Sequence, residues 1–227
     1  MTEPALHRFR FLGLLAALVV LLCVPPVAPE LRSWRWFDAG LAVVVAAAIL
    51  SHAESRAYRW IGGLAGAAAV ALVLAGDATA GPTGSTMVLV GHLLAASFLV
   101  GSALLTVQAG LRGGEISLDT IFAAVCGYLL LGVAWAVVYS SIDLAQPNAF
   151  HLSDELLAGA QQGEPRMSLF VYFSFVTLGT LGYGDITPVS VSARTLAWLE
   201  AVLGQLYLAV LIAGLVGAVI ATRQKRR

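Results

Sequence analysis

Apolar stretches nearly free of charge alternate along this chain with short polar ones. An ionised side chain is costly at membrane depth and a helix needs about 20 apolar residues to cross, so these stretches predict spanning helices. Six emerge: Phe11 to Val27, Ala39 to His52, Trp60 to Gly76, Thr86 to Gly110, Thr120 to Ser140 and Thr195 to Thr222. The first three are short for spans, and only the last encloses an acid, Glu200. A seventh stretch, Met167 to Gly179, is too short to cross and ends in a glycine-rich run, as expected of a re-entrant helix that enters from one side.

Composition agrees: 59% hydrophobic against 11% charged over 227 residues, with mean hydropathy +0.86, is too apolar for an ordinary soluble domain. Thirteen basic and thirteen acidic residues cancel, so no overall basic field points to nucleic acid. Cys23 and Cys126 each lie in an apolar run and suggest neither a disulfide framework nor a zinc site. The first apolar run follows Arg8 and Arg10 in the manner of a signal peptide, but is read as a retained helix, because removing it leaves an odd number of spans.

Where the charges fall sets the orientation. With both termini inside, the inner segments hold nine Lys or Arg (Arg8, Arg10, Arg56, Arg59, Arg112, Arg223, Lys225, Arg226 and Arg227) and the outer ones four (Arg32, Arg35, Arg166 and Arg194). Cytoplasmic loops carry the basic excess, so both termini are expected in the cytoplasm, and the re-entrant segment enters from outside. Trp34, Trp36, Trp60 and Trp198 lie near span ends, where amphipathic rings favour the interface. The loop from Ser141 to Pro165 holds Asp143, Asp154, Glu155 and Glu164; it reads equally as a solvated loop or as an acidic turret that concentrates cations, and Ser153 is placed to cap a short helix through Leu157.

The run from Phe173 to Pro188, FSFVTLGTLGYGDITP, carries the most information. It resembles the pore loop of potassium channels. Its core, Thr180-Leu181-Gly182-Tyr183-Gly184-Asp185, matches the selectivity filter of that family with Leu181 where valine is usual. The resemblance extends over roughly Thr120 to Ala221. The chemistry behind it is general: a dehydrated K⁺ must recover the oxygens that water gave it, and rings of backbone carbonyls can supply them. Aiming successive carbonyls at one axis requires neighbouring residues to alternate between right- and left-handed conformations, which Gly182 and Gly184 reach without a Cβ penalty.

The resemblance implies that Thr180, Leu181, Gly182 and Tyr183 present carbonyls to the ions, that the Thr180 hydroxyl adds the innermost ligand, and that Asp185 closes the outer end. It places the Tyr183 ring in a cuff formed by Tyr172 and Phe173. The re-entrant helix would direct its negative C-terminal end toward a cation in the cavity. One chain supplies one quarter of such a ring, so a closed homotetramer is expected. At a position where some members carry a glutamate, this chain has Val176.

In the last span Gly204 lies nineteen residues after Asp185, matching the glycine hinge of potassium-channel inner helices, although close helix packing explains small residues in membranes equally well. If Gln205 faces the cavity, helical spacing puts Leu208, Ile212 and Val216 on the same stripe, the lower members forming an apolar gate. At about 100° per residue, Glu200 then points about 140° away, toward the re-entrant helix or the fifth span; it reads equally as a brace behind the filter through Thr177, Ser174 or Tyr172 and as a neutral acid hydrogen-bonded near the outer interface. His92 is read as a satisfied interior histidine. No Lys or Arg lies between Asp77 and Arg112, so the fourth span has no voltage-sensing charges.

The expectation is therefore an all-α integral membrane protein of six transmembrane helices, with a re-entrant pore helix and filter between the fifth and sixth. Residues 1–112 form a four-helix membrane domain and 113–227 a pore domain. The chain ends soon after the sixth span, so no fused cytoplasmic sensing domain is expected, and Arg223, Lys225, Arg226 and Arg227 are placed to meet anionic lipid. The expected activity is passive K⁺ conduction across a bacterial inner membrane, with K⁺ as the permeant ion, no cofactor and no metal besides K⁺ at the filter. Alternatives are a weakly selective cation channel and a non-conducting polytopic membrane protein. An enzyme is not expected, since no acid/base or nucleophile constellation lies at membrane depth.

Overall fold

The computed structural model describes residues 11–27, 34–51, 56–111, 118–161 and 165–225. Arg8, Arg10, Arg32, Arg112, Glu164, Arg226 and Arg227, which enter the charge and lipid readings, lie outside them. The described elements run in the order α1 (Leu12–Val27), α2 (Trp34–Ser51), α3 (Arg56–Asp77), α4 (Pro82–Leu111), α5 (Leu118–Ala145), β1 (Phe150–Leu152), α6 (Asp154–Gln161), α7 (Arg166–Leu178), β2 (Ile186–Pro188) and α8 (Val191–Lys225). Every apolar stretch of the sequence became a helix. The helices overrun the apolar limits because charged residues at their ends, such as Arg56 and Asp77, stay helical once the span is formed.

Among the described residues four helices are long and apolar enough to cross a bilayer, over Trp60–Asp77, Pro82–Gly110, Leu118–Ala145 and Val191–Gly214. Of the six spans expected, these four are carried by length and composition. The apolar parts of α1 and α2, Leu12–Cys23 and Ala39–Ser51, are shorter. At 1.5 Å per residue they span roughly 18–20 Å against a hydrocarbon core of about 30 Å. Pro25 and Pro26 fall in the last turn of α1, and polar Arg35 and Asp38 occupy the start of α2.

α1 packs on α2 and α5, α2 on α3, α3 on α4, and α4 on α5. One apolar core threads these helices through Leu14, Leu18, Val44, Leu99, Leu130 and Val133. Asp119 ties the start of α5 to α1, accepting from the Phe11 N–H at 3.2 Å. His92 lies in α4, and its Nδ1 is buried with no hydrogen-bond partner among the described residues, so it is not the satisfied histidine expected.

A second core lies where α5, α7 and the short strands meet. Tyr139, Phe150, Phe170 and Phe173 stack there edge-on, with ring centroids 5.0 to 5.7 Å apart. Such tilted pairs satisfy the ring quadrupoles while burying large apolar surfaces. β1 and β2 pair antiparallel with Phe150 opposite Pro188, His151 opposite Thr187 and Leu152 opposite Ile186. This ladder fastens the loop after α5 to the segment that follows α7.

Candidate functional site

α7 sits between α5 and α8, and two glycines let it come close. At Gly132 of α5 a Cβ would lie 2.6 Å from the Phe175 ring, so the bare backbone is the seat for that ring. At Gly204 of α8 a Cβ would lie 2.5 Å from the Leu178 carbonyl oxygen. The conformation therefore makes Gly204 a packing glycine, with the last turn of α7 resting on it.

Where α7 ends, the chain turns on a specific set of hydrogen bonds. The Leu181 N–H donates to the Val176 carbonyl at 2.8 Å, and the Thr180 N–H donates to the Thr177 carbonyl at 2.9 Å. These are the 6→1 and 5→2 bonds of a Schellman cap, with Gly179 as the last residue of right-handed conformation and Thr180 in the left-handed position usually given to glycine. Thr180 has φ +57°, an unusual choice for a β-branched residue, at a cost of about 1–2 kcal/mol. The two cap bonds hold it there.

The left-handed residues that follow are Gly182 (φ +57°) and Gly184 (φ +80°). Thr180, Gly182 and Gly184 thus take positive φ at every second position, with Leu181 and Tyr183 between them. Alternation of this kind turns successive carbonyls toward one side of an extended loop. The sequence pointed to the two glycines; Thr180 as the third member was missed, because its signal is the helix cap rather than its own propensity.

Asp185 is gripped three times. Its Oδ2 accepts from the Tyr172 phenol at 2.5 Å, its Oδ1 from the Ile186 N–H at 3.0 Å, and its backbone carbonyl from the Ser153 N–H at 2.8 Å. Tyr172, on α7, thus reaches past the loop to its outer end. Phe173 does not share that role. In the single chain it is buried against Tyr139 and Phe150 on a face of α7 about 100° from that of Tyr172, so of the two expected cuff residues only Tyr172 bonds Asp185. Tyr183 itself stands 66% exposed in the single chain.

On the other end of the loop, the Gln205 amide donates to the Thr180 hydroxyl at 3.3 Å. Leu208 and Ile212, on the same side of α8, are exposed at 36% and 59%; the Val216 side chain lies outside the described set. Glu200, by contrast, is wholly buried. It contacts the Tyr139 phenol of α5 at 2.5 Å and the Ser174 hydroxyl of α7 at 2.6 Å. Of the three partners foreseen for it, Ser174 is the one used; Thr177 contributes its carbonyl to the cap, and Tyr172 serves Asp185. Tyr139 was not foreseen, although a lone acid in an apolar helix demands hydroxyl donors on its neighbours. No cluster of His, Cys, Asp or Glu among the described residues could hold a metal ion.

With that geometry in place, comparison with known proteins is informative. A profile described as "Ion channel" matches residues 128–221, the stretch from mid α5 through the loop to the end of α8. The chain belongs to the potassium-channel pore family of ion channels. Among curated proteins it is 33% identical over 98 residues to Protein LctB of Geobacillus stearothermophilus, covering 43% of this chain and 71% of the relative. It is 31% identical over 101 residues to Protein LctB of Bacillus caldotenax, with the same coverage. No solved structure matches. The family is one of channels rather than enzymes, and its match with the apolar helices makes this a membrane protein. The matched region leaves out α1 to α4.

Proposed function

We propose that this chain is the subunit of a K⁺-selective channel in which four copies surround one axis and K⁺ passes down its gradient through the Thr180–Gly184 loop. The observation that carries the reading is the alternation of positive φ at Thr180, Gly182 and Gly184 within Thr-Leu-Gly-Tyr-Gly-Asp. Carbonyls turned to one side replace the hydration shell of the ion, with the Thr180 hydroxyl as the innermost ligand. α7 is then the re-entrant pore helix, its C-terminal end facing the cavity with partial negative charge.

The exposure of Leu181 (59%), Val210 (70%) and Ile212 (59%) supports an assembly, since a closed ring removes such apolar surface from solvent and lipid alike. On this reading α1 and α2 complete six spans together with the four long helices, by tilting within or thinning the bilayer. The membrane is the bacterial inner membrane, with both termini cytoplasmic, and Arg223, Lys225, Arg226 and Arg227 meet anionic lipid at its inner face. Gln205, Leu208, Ile212 and Val216 line the cavity and gate.

The test is the reversal potential of the purified chain in planar bilayers under opposed K⁺ and Na⁺ gradients. A reversal near the K⁺ equilibrium value, with block by Ba²⁺, is expected. Reversal midway between the two ions would show a weakly selective cation channel, and no current in the presence of the folded protein would show a non-conducting one.

A further inference from the structure

Around Glu200, three close oxygen–oxygen contacts form an unbroken line. Tyr139 Oη lies 2.5 Å from Glu200 Oε2, Glu200 Oε1 lies 2.6 Å from Ser174 Oγ, and Ser174 Oγ lies 2.8 Å from the Gly132 carbonyl oxygen. Each distance is that of a hydrogen bond, and each needs one proton between its oxygens. The phenol supplies one and the serine hydroxyl supplies one; a carbonyl supplies none. If Glu200 is a carboxylate, two protons must serve three contacts, and Ser174 must leave either Glu200 or Gly132 facing it lone pair to lone pair.

We infer that Glu200 is held as a neutral carboxylic acid and is a positioning residue for the pore helix, its proton completing a one-way chain from Tyr139 through Glu200 and Ser174 to the backbone of α5. The directions follow without remainder. Tyr139 donates to Glu200 Oε2, Glu200 Oε1 donates to Ser174, and Ser174 donates to Gly132. Each hydroxyl uses its proton once, and each acceptor is met.

The surroundings agree. Glu200, Ser174 and Tyr139 are all buried, at 0% exposure each. From α5 the titratable groups near Glu200 are the phenols of Tyr139 and Tyr128, and neither carries positive charge. α7 presents Ser174, while its own charged residue, Arg166, is bound to Asp143 at the far end. On α8, Arg194 is directed to the Pro188 carbonyl. Among the described residues no Lys, Arg or His is paired with Glu200. An ionised carboxyl without a cation in such a site is strongly disfavoured, whereas a neutral acid with its donors and acceptors met is not.

The consequence is mechanical. The chain ties α5, α7 and α8 together one helical turn behind the loop, beside the Gly132 seat for Phe175. Loss of the Glu200 proton leaves Ser174 unable to bond both partners, so α7 loses one of the two polar attachments that Ser174 makes to its neighbours. This inference rests on the channel reading only in so far as pore-helix position is read out as K⁺ flux.

Two measurements on the full-length protein in liposomes test it, with Glu200→Gln and Glu200→Ala beside the wild type. Glutamine donates to Ser174 and accepts from Tyr139 as the neutral acid does. The first measurement is infrared absorption by the carbonyl of a buried protonated acid at neutral pH. The band is expected in the wild type and absent in Glu200→Gln. The second is the thermal stability of the protein and its K⁺ flux from neutral to alkaline pH. Wild type is expected to lose stability together with the infrared band, with a flux decline of about tenfold, the worth of one buried hydrogen bond. Glu200→Gln should match wild type at neutral pH and stay level, and Glu200→Ala should be less stable throughout. Absence of the band at neutral pH, or a glutamine variant as damaged as the alanine one, overturns the inference. Failure of wild type to pass K⁺ at neutral pH overturns the channel reading instead, and leaves the infrared and stability results to decide the proton.

Discussion

Gly204 lies against the carbonyl oxygen of Leu178 so closely that a Cβ there would stand 2.5 Å from it. The contact is backbone on backbone, and neither side can rotate away. Elsewhere in a helix, Gly→Ala stabilises by up to about 1 kcal/mol. Here Gly204→Ala is expected to destabilise the protein by about 1–3 kcal/mol, as overpacking does. Thermal unfolding in detergent reads the sign: a stabilised Gly204→Ala protein with altered opening would return Gly204 to the role of a hinge.

The alternation at Thr180, Gly182 and Gly184 makes a second prediction. Nothing lies within 4 Å of a Cβ built on Gly182 or Gly184 in the single chain, so the cost of alanine there is conformational, about 1–2 kcal/mol at φ +57° or +80°. Gly182→Ala and Gly184→Ala should fold and reach the membrane yet lose K⁺ selectivity, seen as a reversal potential shifted toward the Na⁺ value. Variants with selectivity intact would show that the left-handed backbone is not needed for conduction.

Tyr172 donates to the carboxyl group of Asp185 across the outer end of the loop. Tyr172→Phe removes that bond and keeps the ring, leaving Asp185 with its two backbone partners, Ile186 and Ser153. The expected outcome is unchanged folding with current that decays several-fold faster under sustained recording, because the mouth of the loop has lost one of three restraints. Equal decay in the two proteins would remove Tyr172 from the support of the loop.

Assembly is open to a mixing experiment. If four copies share one axis, equal expression of wild type and the Gly182→Ala chain leaves about one-sixteenth of the assemblies with four intact loops. The K⁺-selective share of the current should fall accordingly, well below the half expected of independent subunits. A fall to one half would show that each chain acts alone.

Much of the pore was legible in the sequence because its signals are local. Gly182, Gly184 and Asp185 identify the loop by residue type and order, and the apolar run ahead of them predicts α7 within a residue or two. Glu200 announced itself as an acid in an apolar helix. What escaped was set by partners far along the chain. Tyr139, the end of the proton chain, is 61 residues from Glu200, and β1 meets β2 across 34 residues or more. Phe173 was placed in the cuff by resemblance, while its packing against Tyr139 and Phe150 depends on residues 34 and 23 positions away. Thr180 was read for its carbonyl and hydroxyl, while its left-handed backbone is fixed by the Schellman cap. Span number stayed open at α1 and α2, whose uncharged runs are short for a crossing in the sequence and in the helices alike.

The strand ladder pairing Phe150–Leu152 with Ile186–Pro188 makes the segment after α5 a handle on the Thr180–Gly184 loop, the ion path in the proposed function. Ser153 holds the Asp185 carbonyl directly, so a peptide or antibody that grips the strand pair from the aqueous side pulls on the end of the Thr180–Gly184 loop without entering it. Drugs aimed at this surface would therefore act as modulators of flow rather than as plugs.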